Sequence, residues 1–117
     1  MGDAALTVHA ESDVDRGVRS LLDLKVRGNA WLAERNVRSE NRVTAHFGSV
    51  CAANVGTAGD KRPDVFGEVV NVAVTMRTHG FAMSAQVFRK LNSDTRKLFK
   101  KHTRPVSYIP LNEPHRD

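Results

Sequence analysis

Apolar and polar positions along this chain alternate with two different periods, and the changes of period mark its elements. Residues 4–9 (Ala-Ala-Leu-Thr-Val-His) read as a short strand. Ser12, followed three residues later by Asp15, has the layout of a weak capping box at a helix start. Val14, Val18, Leu21, Leu22 and Leu32 then fall near one stripe, which predicts a helix to about residue 35. Gly28 weakens the middle of that helix by about 1 kcal/mol relative to alanine, and Trp31 is expected to pack half-buried at its edge. In residues 42–47 the period becomes two, with Val43, Ala45 and Phe47 on one face. Gly48 and Ser49 signal a turn and residues 50–55 read as the return strand, so the pattern predicts a hairpin. Residues 56–63, rich in glycine and charge and closed by Pro63, are expected to be a mobile loop.

The clearest amphipathic helix comes next. Val69, Val72, Ala73 and Met76 stand at i, i+3, i+4 and i+7, while Asn71 and Thr75 share another face. His79 and Gly80 are expected to end that helix. Phe81, Ala82 and Met83 read as a short strand, Ser84 as the cap of a helix running through Leu91, and residues 94–101 as a further short helix. A last strand is expected at residues 105–109, with Pro110 and Pro114 marking a frayed tail. The order strand–helix–hairpin–helix–strand–helix–strand implies an α+β fold whose sheet is mostly antiparallel with helices packed on it.

With 117 residues the chain fits one small domain, taken as residues 1–111 with a polar tail at 112–117. A hydrophobic fraction of 40% and an aromatic fraction of 6% describe a soluble protein lean in large core residues. No apolar run approaches the length of a membrane span, and residues 1–15 are too polar for a signal peptide. The single cysteine, Cys51, agrees with a reducing, cytoplasmic setting and reads as a small buried hydrophobe. The net charge is +5, and Arg89, Lys90, Arg96, Lys97, Lys100, Lys101 and Arg104 carry much of the excess. Such a balance favours polyanions, but the helical spread of these charges and the scarcity of aromatics read as a solvated face, and nucleic acid is not an expected partner. The five histidines show no zinc-ligand spacing, and His46 reads as a structural strand residue. Neither a phosphate-binding glycine loop of the Walker kind nor a nucleophile elbow is present.

Several short motifs stand in a particular order. Gly2-Asp3-Ala4 precedes the long helix, and Arg42 to Gly48 and Asn54-Val55-Gly56 follow it. Asp64, Gly67, Val70, Asn71 and Ala73 spell D-x-x-G-x-x-V-N-x-A, and Ser84 and Phe88 are four residues apart. Residues 1 to about 92 thereby resemble the catalytic domain of class III nucleotidyl cyclases, which make cyclic AMP or cyclic GMP. The resemblance implies a ferredoxin-like core that dimerises, with two active sites between the subunits. In that family two carboxylates hold two divalent ions, and Mg²⁺ or Mn²⁺ suits such hard oxygen ligands. The ribose 3′ oxygen attacks the α-phosphate and pyrophosphate leaves.

Carried over residue by residue, the resemblance makes Asp3 the second metal carboxylate, Asp64 the reader of the purine base and Asn71 the group that positions the ribose. An aspartate at 64 points to ATP. Thr75 stands where the family has an arginine that stabilises the transition state. Threonine cannot replace a guanidinium fork, and losing such a donor costs about a hundred- to a thousandfold in rate. Arg77 would point elsewhere on the helix, and Lys61 and Arg62 belong to the preceding loop. The first strand with its metal aspartate, two helices, the second strand and the base-reading lysine have no counterpart here. Either Met1 is an internal residue of a longer protein or the half-domain exists as such. The expectation is a partial cyclase fold, inactive or very weak, that does not hold its metal ions tightly. It would pair as a homodimer or with another cyclase-type domain. The alternative is a non-catalytic interaction module.

Overall fold

A 21-residue helix, α1 (Val14–Glu34), is the longest element and carries the largest apolar stripe. It follows a 3₁₀ turn at Glu11–Asp13, so Ser12 lies inside a turn rather than capping the helix, and the turn is closed by the Asp13 amide donating to the Ala10 carbonyl at 2.9 Å. The computed structural model describes residues 4–60, 62–76, 78, 80–103 and 106–115, with the backbone alone for residues 55 and 62–65. The remaining elements are β1 (Val43–Ala45), β2 (Cys51–Val55), β3 (Arg62–Phe66), α2 (Glu68–Thr75), β4 (Phe81–Met83), α3 (Ala85–Phe88), α4 (Ser93–Arg96), β5 (Phe99–His102) and β6 (Ser107–Pro110).

The main sheet is mixed, in the order β1-β4-β6-β5, with β1 parallel to β4 and the other pairs antiparallel. Its register places Val43 beside Phe81, Ala45 beside Met83, and Met83 beside Tyr108. These residues share the face on which α1 and α3 pack. Val18 of α1, Phe81 and Met83 of β4, Val87 and Leu91 around α3 and Phe99 of β5 form the buried core. Phe81 and Phe99 meet with ring centroids 5.6 Å apart, and Phe88 stacks on Tyr108 at 3.8 Å. The fully buried Thr95 is satisfied on both sides: its amide donates to Asn92 Oδ1 at 2.9 Å, and its hydroxyl accepts from Arg19 Nε at 3.1 Å. Asp15 of α1 accepts from the Asn92 amide at 3.0 Å, so α1 and the start of α4 are fastened to each other.

Several expectations are corrected. Residues 4–9 form no strand; the His9 ring lies against Gly17 of α1, and the segment pairs with no sheet edge. The expected hairpin of residues 42–47 with 50–55 does not form. Val43 and Ala45 are drawn into the core beside Phe81 and Met83, which pairs β1 with β4 across 35 intervening residues. β2 pairs instead with β3, which occupies part of the expected loop, as a separate two-stranded ribbon. Cys51 is exposed on that ribbon instead of buried. Trp31 is 53% exposed, with the Arg35 guanidinium 3.9 Å above its ring. Gly28 has a packing role: a Cβ there would meet Asn41 Nδ2 at 1.8 Å, in the loop that donates the Asn41 amide to Asn29 Oδ1.

The C-terminal third differs most. Residues 99–102 are a strand, not the end of a helix; Phe99 and His102 turn inward, and the lysines between them read as helical charge in the sequence. Edge-strand lysines also discourage pairing with further chains. The tail is tied down rather than frayed. Pro110 is buried in β6, the Leu111 amide donates to Leu98 O at 3.1 Å, and the Glu113 amide donates to Pro110 O at 3.1 Å. The Glu113 carboxylate accepts from the Phe81 amide at 3.0 and 3.2 Å and pairs with Lys25 of α1 at 3.3 Å.

Gly80 makes this tail contact possible, because a Cβ on it would stand 1.7 Å from Glu113 Oε1. Gly80→Ala is therefore expected to displace the carboxylate and strand the Phe81 amide, at a cost of about 1–3 kcal/mol in urea unfolding. In a Glu113→Ala background the same substitution should cost much less. Additive losses in that double-mutant cycle would contradict the coupling.

Candidate functional site

The D-x-x-G-x-x-V-N segment folds as one strand–turn–helix unit. Asp64 sits in β3 opposite Ala53 of β2. Gly67 turns the chain with φ 148° and ψ 158°, a conformation open almost solely to glycine. A Cβ there would also lie 3.0 Å from the Ser49 carbonyl oxygen. Gly67 is thus required twice, for its backbone angles and for the close passage of residues 49–50. Gly48 is pressed on the same junction, since a Cβ on it would meet Val69 at 3.1 Å.

From Gly67 the chain enters α2, with Glu68 in the first turn where its charge complements the helix dipole. The Ala73 carbonyl accepts from Thr44 Oγ1 of β1 at 2.5 Å, which docks α2 on the sheet face opposite α1. Val69, Val70, Val72 and Ala73 are half-buried. Asn71 and Thr75 lie exposed on the outer side, one turn apart, as their spacing predicts. The Thr75 hydroxyl donates back to the Asn71 carbonyl at 2.8 Å, with Val72 O at 3.4 Å. Thr75 therefore directs its donor into its own helix.

α2 ends at Thr75, short of the expected Gly80, and Met76 is extended with ψ 137°. Four valines and a threonine in eight residues give the helix weak intrinsic propensity. The back-bonded hydroxyl further loosens its last turn. His79, Arg77 and Lys61 lie outside the described residues, as does Asp3. Asp64 and Arg62 are described by backbone alone. The structure thus gathers the positions of Asp64, Gly67, Asn71 and Thr75 into one unit and says nothing of a partner for Asp3. Among the described residues no group of three histidine, cysteine or carboxylate side chains is placed to hold a metal ion.

Beside this unit an open groove runs between residues 4–10, α1, residues 37–50 and α2, with the C-terminal tail at one end. Its lining includes Leu6, Val8, Leu24, Val37, Val50 and Val74, all large apolar side chains left exposed. Two histidine contacts were not legible in the sequence. His46 Nδ1 lies 2.8 Å from Ser84 Oγ, so Ser84 joins β1 to α3 instead of capping α3 with its side chain. His102 of β5 meets His115 of the tail, Nδ1 to Nδ1, at 2.9 Å. Neither pair has a sequence signal, because the partners are 38 and 13 residues apart and the strand that carries His102 reads as helix.

Among the described residues no helix is long and apolar enough to cross a membrane. Comparison of the chain with protein-family models, with curated proteins and with solved structures finds no match in any of the three.

The junction itself is open to test. Gly67→Ala is expected to cost about 1–3 kcal/mol from the backbone angles alone, with a further loss from the contact with Ser49. Urea unfolding measures it, and a loss below about 0.5 kcal/mol, the scale of an ordinary surface change, would contradict the requirement for glycine.

Proposed function

We propose that this chain is a domain related to class III adenylyl cyclases that does not turn over as this polypeptide. The observation that carries the reading is the β3–Gly67–α2 unit, which bears Asp64 on a strand, Gly67 at a turn and Asn71 and Thr75 on a helix at the family's offsets. ATP would be the nucleotide, with Asp64 toward the base and Asn71 toward the ribose. Its setting would be cytoplasmic.

One feature argues directly against turnover. Thr75 stands in the arginine position, and its hydroxyl is engaged by helix carbonyls, so it offers no donor to a phosphate. Asp3, the metal carboxylate that the resemblance names, lies outside the described residues, and Mg²⁺ or Mn²⁺ rests on the resemblance alone. What remains is the scaffold of a nucleotide site without the arginine that would stabilise charge in the transition state.

A second reading is favoured by the apolar groove. Exposed apolar surface on this scale marks interaction sites in soluble proteins, and a non-catalytic module that pairs with itself or with another cyclase-type domain would cover it. Sedimentation equilibrium of the chain mixed with an intact cyclase domain separates the two readings. Specific heterodimer formation favours the module, and a chain that stays unpaired both alone and in the mixture removes it.

In a direct assay the chain should form no cyclic AMP from ATP in the presence of Mn²⁺. Thr75→Arg should not create activity in this polypeptide, because on this reading Asp3 alone would not hold the metal ions. Cyclic AMP formation by either form, above a heat-denatured control, would overturn the reading.

A further inference from the structure

The second face of the sheet, opposite α1 and α3, is formed by alternate residues of its strands. Ala82 of β4, Ser107 and Ile109 of β6 and His102 of β5 are all buried there. His102 is 9% exposed, and its ring lies nearly parallel to that of His115, with centroids 5.2 Å apart and planes at 13°. The two Nδ1 atoms are 2.9 Å apart. Neutral imidazoles can sit so only if one Nδ1 carries a proton and the other accepts it. A metal ion bound by both nitrogens would replace that proton and lie beside the line between them.

The separation fits one coordination geometry better than another. Imidazole nitrogens bound at about 2.0–2.1 Å stand about 2.9 Å apart on adjacent corners of a square and about 3.3 Å apart on a tetrahedron. Tetragonal geometry with nitrogen donors suits Cu²⁺ or Ni²⁺. The rings must turn so that their lone pairs converge. His115 is exposed and terminal to a tail held at Glu113, so its ring has room to rotate, while His102 is fixed by the strand.

We propose that His102 and His115 form a two-imidazole site for a tetragonal divalent transition ion, Ni²⁺ or Cu²⁺. Bound there, the ion would fasten the tail to the sheet. Water completes the coordination, because no third histidine, cysteine or carboxylate converges on the pair among the described residues. The site is distinct from the β3–Gly67–α2 unit and does not rest on the cyclase reading. It is held by the same tail segment whose Glu113 accepts from the Phe81 amide, so metal binding should raise the free energy of unfolding by linkage.

The test is calorimetric titration of the untagged full chain with Ni²⁺ alone. The expected result is one equivalent bound, with affinity at least about tenfold weaker in His115→Gln and unchanged in His9→Gln. His115 lies in the tail, so its variant folds even if His102→Gln does not. The thermal midpoint should rise with Ni²⁺ in the parent chain and not in His115→Gln. Saturable binding that survives His115→Gln, or no saturable binding at millimolar Ni²⁺, would overturn the proposal.

Discussion

The structure depends on burying β4 on both faces and pairing it on both edges. Its three residues, Phe81, Ala82 and Met83, are almost wholly inaccessible. Such a strand leaves no backbone group to water, so every amide and carbonyl needs a partner in the protein. β1 supplies one edge and β6 the other. At the ends of the β1 pairing, the Val43 amide donates to Gly80 O and the Ser84 amide to Ala45 O. The Phe81 amide has no strand to reach, and the Glu113 carboxylate accepts from it. That buried donor is one anchor of the C-terminal tail, and a Cβ on Gly80 would stand where the carboxylate comes close.

The same constraint sets what surrounds the β3–Gly67–α2 unit. Phe81 and Met83 draw α1 and α3 to one face, while α2 and the tail take the other. Pairing β1 with β4 separates β1 from β2, so β2 and β3 leave the sheet as a ribbon of their own. Gly67 then has to return the chain from that ribbon to the sheet, past the carbonyl of Ser49. The groove left between α1, α2 and residues 37–50 follows from this layout, since β1 is an edge of the sheet among the described residues.

The long α1, the β4 strand and the amphipathic start of α2 were legible because each has a local period that burial enforces. Val14, Val18, Leu21 and Leu22 sit where the stripe puts them, and Asn71 and Thr75 share the exposed side of α2. Strand partners were not legible. Alternation identifies a strand, but Val43 and Ala45 alternate equally well for a hairpin and for a parallel pair with β4, and only the contents of the core decide. β5 was hidden because Lys100 and Lys101 are helix formers by composition, and the ladder with β6 overrides that preference. The tail was misread because prolines near a chain end usually mark fraying, whereas here a carboxylate between them answers a buried amide 32 residues away. Of the candidate site, the Asp64–Gly67–Asn71 spacing survives as a strand, a turn and a helix. The back-bonding of Thr75 depends on rotamer and could not be read from spacing.

On the proposed reading the molecule keeps the frame of a nucleotide site and carries a threonine where the transition-state arginine would stand. Nuclear magnetic resonance titration with ATP and Mg²⁺, following the backbone amides of Gly67 and Asn71, tests that most directly. The account predicts saturable shifts centred on the junction of β3 and α2 at millimolar nucleotide, with no cyclic AMP formed. No saturable shift at these amides would contradict it, because Asp64 and Asn71 would then face no nucleotide.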